Sequence, residues 1–220
     1  NLYDDTYGAA GSTADLSHNF LGWNSSYTGE PIPESEMMAW LDNAVSRLSA
    51  FPARRVLEIG CGTGLLIAQL APGKERYCAV DFSASVLQHT RKLLENRPDL
   101  RHVELRQARA DQLGDLEPAS FDLVILNSVV QYFLGVDYLL GVLDHAVAVT
   151  APGGVVYAGD IRSLALLQHY AALVELYKSD PGCPRDSFAE AVRQRVRAEE
   201  ELVIAPELFH VLKHRDPRIG

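Results

Sequence analysis

The sequence lacks most of what would tie it to a membrane, a metal or a nucleic acid. No apolar run approaches the roughly 20 residues needed to span a bilayer. The opening residues, Asn1-Leu2-Tyr3-Asp4-Asp5, have neither the basic start nor the hydrophobic stretch of a signal peptide. An initiator methionine is missing too, so the chain reads as a segment cut from something longer. There are only 3 cysteines, Cys61, Cys78 and Cys183, far apart and odd in number. They form no CxxC pair and no disulfide framework, which suggests a reducing, cytoplasmic setting. The 7 histidines show no HExxH or Cys/His ligand spacing, so no metal is expected. Basic residues are outnumbered 29 to 20, giving a net charge of −9, whereas a phosphate-backbone partner needs a basic face. Arg193, Arg195 and Arg197 lie close together, but as the solvated side of a charged helix.

What is present is ordinary for a soluble globular protein: 47% apolar and 22% charged residues over 220 positions, enough for one domain with a single substantial core. Residues 1–31 are rich in Gly, Ser, Asn, Asp and Tyr without periodicity and read as an irregular arm. Pro33 stands where a helical turn begins, and Met37, Trp40, Leu41, Ala44, Val45 and Leu48 recur at helical spacing. From residue 55 strands and helices alternate. Strands are expected at 55–59, 77–81, 102–107, 121–126 and 155–159. Helices are expected from Thr63 to Leu70, from Ser83 (as N-cap) to Asn96, and from Tyr138 to Val149. Such alternation implies βαβ units and a mostly parallel sheet flanked by helices. Beyond Asp160 the pattern is helical only, over 164–177, 187–203 and 206–213. The division is thus an arm and helix (1–52) acting as a lid, a ligand-binding core (53–160) and a C-terminal helical segment (161–220).

The sharpest signal is Val56-Leu57-Glu58-Ile59-Gly60-Cys61-Gly62-Thr63-Gly64, a strand turning through three glycines into a helix. Alternate glycines let a ligand lie against bare main chain, at the carboxyl ends of parallel strands. The details argue against a dinucleotide. Leu65 stands where the third glycine of GxGxxG belongs, and Glu58 would repel a diphosphate. Beside a ligand carrying an ammonium and a sulfonium the same carboxylate is favourable. Asp81 ends the next strand, where a carboxylate can accept hydrogen bonds from ribose hydroxyls. Ala110-Asp111-Gln112 follows the third strand, with Asp111 placed to accept an adenine amino group and Ala110 to pack on the ring.

Glu58-x-Gly60-x-Gly62-x-Gly64, with Asp81 and Ala110-Asp111, resembles the class I S-adenosylmethionine (SAM)-dependent methyltransferases. Three further segments, 22–33 (GWNSSYTGEPIP), 127–133 (NSVVQYF) and 159–163 (GDIRS), are similar to the methyltransferase domains embedded in nonribosomal peptide synthetases, over essentially the whole chain. The resemblance implies a Rossmann-like sheet of order 3-2-1-4-5. It implies SAM as cofactor, with S-adenosylhomocysteine as product and no metal. It also implies methylation, usually on the α-nitrogen, of an aminoacyl or peptidyl thioester borne by a phosphopantetheinyl carrier protein, with adenylation and other synthetase domains adjacent. The superfamily sheet ends with an antiparallel strand pair, and this chain stops at Gly220 before any such hairpin.

On that resemblance the cofactor would meet Glu58, Gly60, Cys61, Gly62, Gly64, Asp81, Phe82, Ala110, Asp111, Gln112, Asn127 and Tyr27. Gln131 would accept a hydrogen bond from the nucleophilic amine and Tyr132 would orient it, with Asn127 and Asp160 beside them as catalytic candidates. Trp23, Asn24, Ser25 and Tyr27, two aromatics among small polar groups, suit a lid over the ligands, with Tyr3 and Tyr7 in the same arm. Arg162 would contact the thioester or its arm, or else pair with Asp160. His169 reads as surface or core. Methylation at carbon or oxygen, a nicotinamide-dependent oxidoreductase and a non-catalytic methyltransferase-like module are the alternatives.

Overall fold

A computed structural model of the chain describes residues 19, 20, 22–113 and 115–220; Tyr3 and Tyr7 lie outside them. Five strands, β1 (Arg55–Ile59), β2 (Arg76–Asp81), β3 (Val103–Gln107), β4 (Phe121–Asn127) and β5 (Thr150–Gly159), form one parallel sheet in the order β3-β2-β1-β4-β5. The chain runs outward from β1 to β3, then returns to β4 on the other side of β1. The order reverses there, which opens a crevice at the carboxyl ends of the strands. Among the described residues no helix is long and apolar enough to cross a membrane.

The central strands β1, β2 and β4 bury both faces because their side chains alternate between two helical layers. Val56 and Tyr77 pack with α1 (Glu34–Ser49) and α2 (Leu65–Leu70), and Leu87 of α3 (Ala84–Glu95) joins them. On the opposite face Leu57, Ile59, Cys78, Val80 and Val124 pack against Val142, Ala146 and Val149 of α4 (Val136–Val149). Each fully buried Leu, Ile or Val contributes about 1.5–3 kcal/mol relative to an exposed position. By the same alternation Glu58 shares the face of Val56, so a carboxylate enters a buried layer. The Ser83 hydroxyl accepts a hydrogen bond from the Val86 amide (3.3 Å) and caps α3.

Past β5 lie α5 (Leu167–Lys178), α6 (Arg185–Arg197) and α7 (Glu207–Arg215). The helix expected over 187–203 ends at Arg197. Residues 199–203 instead form an irregular segment, and Ile204 forms a parallel bridge with Ser163. Leu202 donates its amide to the Gln131 carbonyl (2.8 Å) and Ile204 donates to Arg162 (2.8 Å). Main-chain pairing and burial of Ile204 against Val130, Leu139 and Leu143 outweigh helical propensity there. β5 also begins earlier than expected, at Thr150. A register shift between Phe121 and Leu123 of β4 accommodates Pro152 and the glycines after it.

Candidate active site

A cleft of about 1390 Å³ opens at the carboxyl ends of the strands. That exceeds the roughly 300–1,000 Å³ of a single-ligand pocket and suits two ligands side by side.

The first half is built around the turn after β1. Gly60 (φ +77°) and Gly64 (φ +89°) adopt left-handed backbone. A Cβ on Gly60 would lie 2.6 Å from Val129 Cγ2, and one on Gly64 would press on Leu93 and Thr90. Three hydrogen bonds fix the turn. The Gly62 amide donates to Asp81 Oδ2 (3.0 Å), the Thr90 hydroxyl donates to the Gly62 carbonyl (2.9 Å), and the Thr63 hydroxyl donates to the Asn19 carbonyl (3.3 Å). Helix α2 starts at Leu65 rather than Thr63, because residues 60–64 are spent on this turn.

Two carboxylates face this half from buried positions. Glu58 is 3% exposed and accepts from the Tyr77 hydroxyl (2.7 Å). Burial pushes its pKa up to about 8; the Tyr77 hydrogen bond opposes the rise, and the neighbouring Asp81 adds to it. Asp81, 8% exposed, accepts from the Gly62 and Ser83 amides, yet burial still raises its pKa. A cation placed opposite these two groups would be stabilised and a diphosphate repelled. Cys61, Phe82, Arg109 and Ala110 complete the lining. Asp111 and Gln112 are not part of it. Asp111 accepts from the Tyr138 hydroxyl (2.9 Å) and from Arg109 Nε (3.2 Å), while the Gln112 amide bonds the Arg109 carbonyl.

The second half lies beyond β4 and β5. Asn127 ends β4, and Gln131 and Tyr132 sit on the 3-10 turn Val130–Tyr132. Gln131 is 8% exposed; its amide nitrogen donates to the Ser128 carbonyl (3.1 Å), and its Oε1 is buried without a hydrogen-bond partner. A carbonyl can only accept, so this contact fixes which end of the amide is which. Tyr132 is about half exposed on the rim. Asp160 accepts from the Ser128 hydroxyl (2.6 Å) and does not pair with Arg162. Arg162 forks instead onto Glu199, its Nη1 and Nη2 at 2.9 and 2.7 Å from the two oxygens, and also bonds Glu201; its guanidinium stands 5.2 Å from the Tyr170 ring centre. Arg195 pairs with Glu175. Four glutamates (175, 199, 200, 201) thus line this half against two arginines, both already paired.

The arm forms the outer wall through Trp23, Asn24 and Ser26. The Trp23 ring lies tilted against Trp40, centroids 4.9 Å apart, and Trp40 packs from α1 against the core while also reaching the lining. Ser25 and Tyr27 stand outside the lining. The Ser25 hydroxyl accepts from the Tyr27 amide (3.3 Å), and the Tyr27 ring stands edge-on to Tyr177 of α5 at 5.5 Å. His169 is exposed on α5. Among the described residues no group of three or more His, Cys, Asp or Glu could hold a metal ion.

A parallel sheet of this order, a glycine turn and acids at consecutive strand ends define a Rossmann-like methyltransferase fold, and residues 57–156 match the methyltransferase domain family. Residues 57–156 thus form a methyltransferase domain, and the chain has the Rossmann-like fold of the class I methyltransferases. Its similarity to chondramide synthase cmdD of Chondromyces crocatus is 41% identity over 218 residues, 99% of this chain and 6% of that protein. The beauvericin nonribosomal cyclodepsipeptide synthetase of Beauveria bassiana is 35% identical over 213 residues, 94% of this chain and 6% of that protein. The chain therefore spans only a small part of these relatives. In fold it is similar to a SAM-dependent methyltransferase from Clostridium acetobutylicum ATCC 824 (TM-score 0.52, 22% identity, 61% of this chain and 54% of that one).

Proposed function

We propose that the chain N-methylates the α-amino group of an aminoacyl or peptidyl thioester, carried on a phosphopantetheine arm during nonribosomal peptide synthesis. The unpartnered, buried Oε1 of Gln131 carries this reading: an acceptor left bare inside a cleft costs about 1–3 kcal/mol unless a ligand N–H meets it. The donor set of the first half fits SAM. Glu58 would face its positive charge, Asp81 the ribose hydroxyls, Gly60 and Gly62 its length along the main chain, and Phe82 and Ala110 the adenine. SAM supplies an electrophilic methyl on sulfur when bound.

The residues of the second half do the rest. Acidic walls and paired arginines favour an N–H donor over an anion, so the phosphate of the carrier arm stays at the mouth. A free α-amine has a pKa near 8, so a useful fraction is neutral without a strong base. Gln131 and Asp160 hold its N–H groups, and Trp23, Asn24 and Trp40 keep water out, with residues 1–52 acting as the lid. With SAM held there, the nitrogen lone pair would form the new N–C bond as the C–S bond breaks, its electron pair remaining on sulfur; these residues would align the nitrogen for that displacement. The proton shed from nitrogen passes toward the Asp160 carboxylate. Alignment of this kind can supply roughly 7–11 kcal/mol. Similarity to peptide synthetases also supports adjacent synthetase domains.

Incubation with SAM and a carrier loaded with an aminoacyl thioester tests the reading. A gain of one methyl, localised to nitrogen by fragmentation, is expected; methyl on carbon, oxygen or sulfur, or none, overturns it.

A further inference from the structure

Left-handed backbone is uncommon outside glycine, and where it occurs at a non-glycine residue it is held there by its surroundings. Among the described residues three non-glycine positions adopt it: Ala119, Ser128 and Asp160. Ser128 (φ +55°) and Asp160 (φ +56°) sit side by side at the ends of β4 and β5, and both line the cleft. Ser128 is the hub between them. Its amide donates to the Gly159 carbonyl (3.2 Å) and its hydroxyl to Asp160 Oδ2 (2.6 Å). That hydroxyl accepts from Asn127 Nδ2 (3.1 Å), and its carbonyl accepts from Gln131 Nε2 (3.1 Å).

We propose that Ser128 is the positioning residue of the acceptor nitrogen, holding Gln131 Oε1 and the Asp160 carboxylate as a matched pair of hydrogen-bond acceptors. The proposal rests on the N-methylation reading and deepens it. A neutral primary amine has two N–H bonds and one lone pair. For the lone pair to lie along the line to the incoming methyl carbon, both N–H bonds must be held aside. Gln131 can do this only with its oxygen turned inward, and the Ser128 carbonyl sets that orientation by taking the amide's N–H. Asp160 can do it only if its carboxylate is steered, and the Ser128 hydroxyl steers it. The left-handed turn lets one residue send its carbonyl to one partner and its hydroxyl to the other. A hydroxyl nucleophile has a single O–H and would leave one of the two acceptors unmet. The pair therefore selects nitrogen over oxygen.

The test compares wild type with Ser128→Ala and Ser128→Gly, using carriers loaded with an α-aminoacyl or the matching α-hydroxyacyl thioester. Glycine adopts the left-handed turn without strain and keeps the carbonyl, so Ser128→Gly removes the hydroxyl alone. Both variants should bind S-adenosylhomocysteine with wild-type affinity by calorimetry. Their kcat on the amine should fall about tenfold or more, and their amine-over-hydroxyl preference should shrink by a similar factor. In an Asp160→Asn background the Ser128→Gly loss should largely disappear, since the two act as a unit. A Ser128→Gly protein with wild-type kcat and preference overturns the proposal and leaves N-methylation standing. A wild-type protein that methylates no nitrogen on a loaded carrier overturns both.

Discussion

The two halves of the cleft are built by different means. The half at β1 and β2 is made of main chain and two buried acids. Most of its partners lie in a compact stretch of the chain, Glu58 to Thr90, and its turn is locked by the Asp81 and Thr90 hydrogen bonds together with the Thr63 hydroxyl on the Asn19 carbonyl. The half at β4 and β5 is made of side chains drawn from far apart, with Arg162 reaching Glu199 and Glu201, Arg195 reaching Glu175, and Gln131 tied through its carbonyl to Leu202. A rigid, backbone-defined half suits an unvarying cofactor. A half made of replaceable side chains suits an acceptor that differs from one enzyme to the next.

On that contrast, the largest effect belongs to the turn. Gly60→Ala sets a methyl group against Val129 in a left-handed position, and should abolish measurable SAM binding and lower stability by about 2–4 kcal/mol. Calorimetry and thermal melting would show both; binding within threefold of wild type would break the comparison.

Glu58→Gln comes next and should move two quantities in opposite directions. Glu58 has its pKa raised from an ordinary 4.5 to about 8. Between those values the folded protein holds a proton that the unfolded chain has released. Stability from this group is therefore fully present below pH 4.5, is lost as pH rises through about 8, and is flat above. Glutamine removes that loss and keeps an acceptor for Tyr77, so the variant should be more stable at neutral pH by an amount on the order of a few kcal/mol. It should also bind SAM about tenfold more weakly. In wild type a cation opposite Glu58 favours its charged form, so SAM affinity should climb between about pH 6 and 8, by at most about tenfold per unit, and level off above; the variant should lack that climb.

Changes in the second half should leave the cofactor untouched. Arg162→Lys keeps the charge but loses the fork onto Glu199. We expect KM for the loaded carrier to rise several-fold, with SAM affinity unchanged and stability down by about 1 kcal/mol. Equal losses toward both ligands would erase the distinction between the halves. The smallest effect is expected for Ser83→Ala, which removes the cap of α3 and should cost about 1 kcal/mol with little change in turnover.

The same contrast decided what could be read from sequence. The glycine turn and the acids of the first half are local in the chain, so spacing alone exposed them. Glycines at 60, 62 and 64 with Leu65 after them, an acid closing β2, and Ser83 ahead of an amphipathic run all keep their meaning within a few residues. The strand order followed from the resemblance, and the sheet has that order. The second half depends on contacts across long separations, which periodicity does not carry. Arg162 was open to a pairing with its neighbour Asp160, and only the fold brings Glu199 and Glu201 to it. The helix expected over 187–203 stops at Arg197, and Leu202 and Ile204 pair with Gln131 and Ser163 instead. Trp40 sits on a helix with core residues and packs against them, yet it also reaches the cleft beside Trp23, and the contact of Tyr27 with Tyr177 spans 150 positions (177 − 27). Ser128 gave no signal, since neither its left-handed backbone nor its hub of hydrogen bonds has a residue-type signature outside glycine.

A structure of the protein with S-adenosylhomocysteine bound tests the central claim most directly. The account predicts the nucleoside along Gly60–Gly62, its ribose hydroxyls within hydrogen-bond reach of Asp81, and its sulfur facing Gln131 and Asp160. A nucleoside seated elsewhere, or carboxylates of Glu58 and Asp81 turned away from it, would contradict the account.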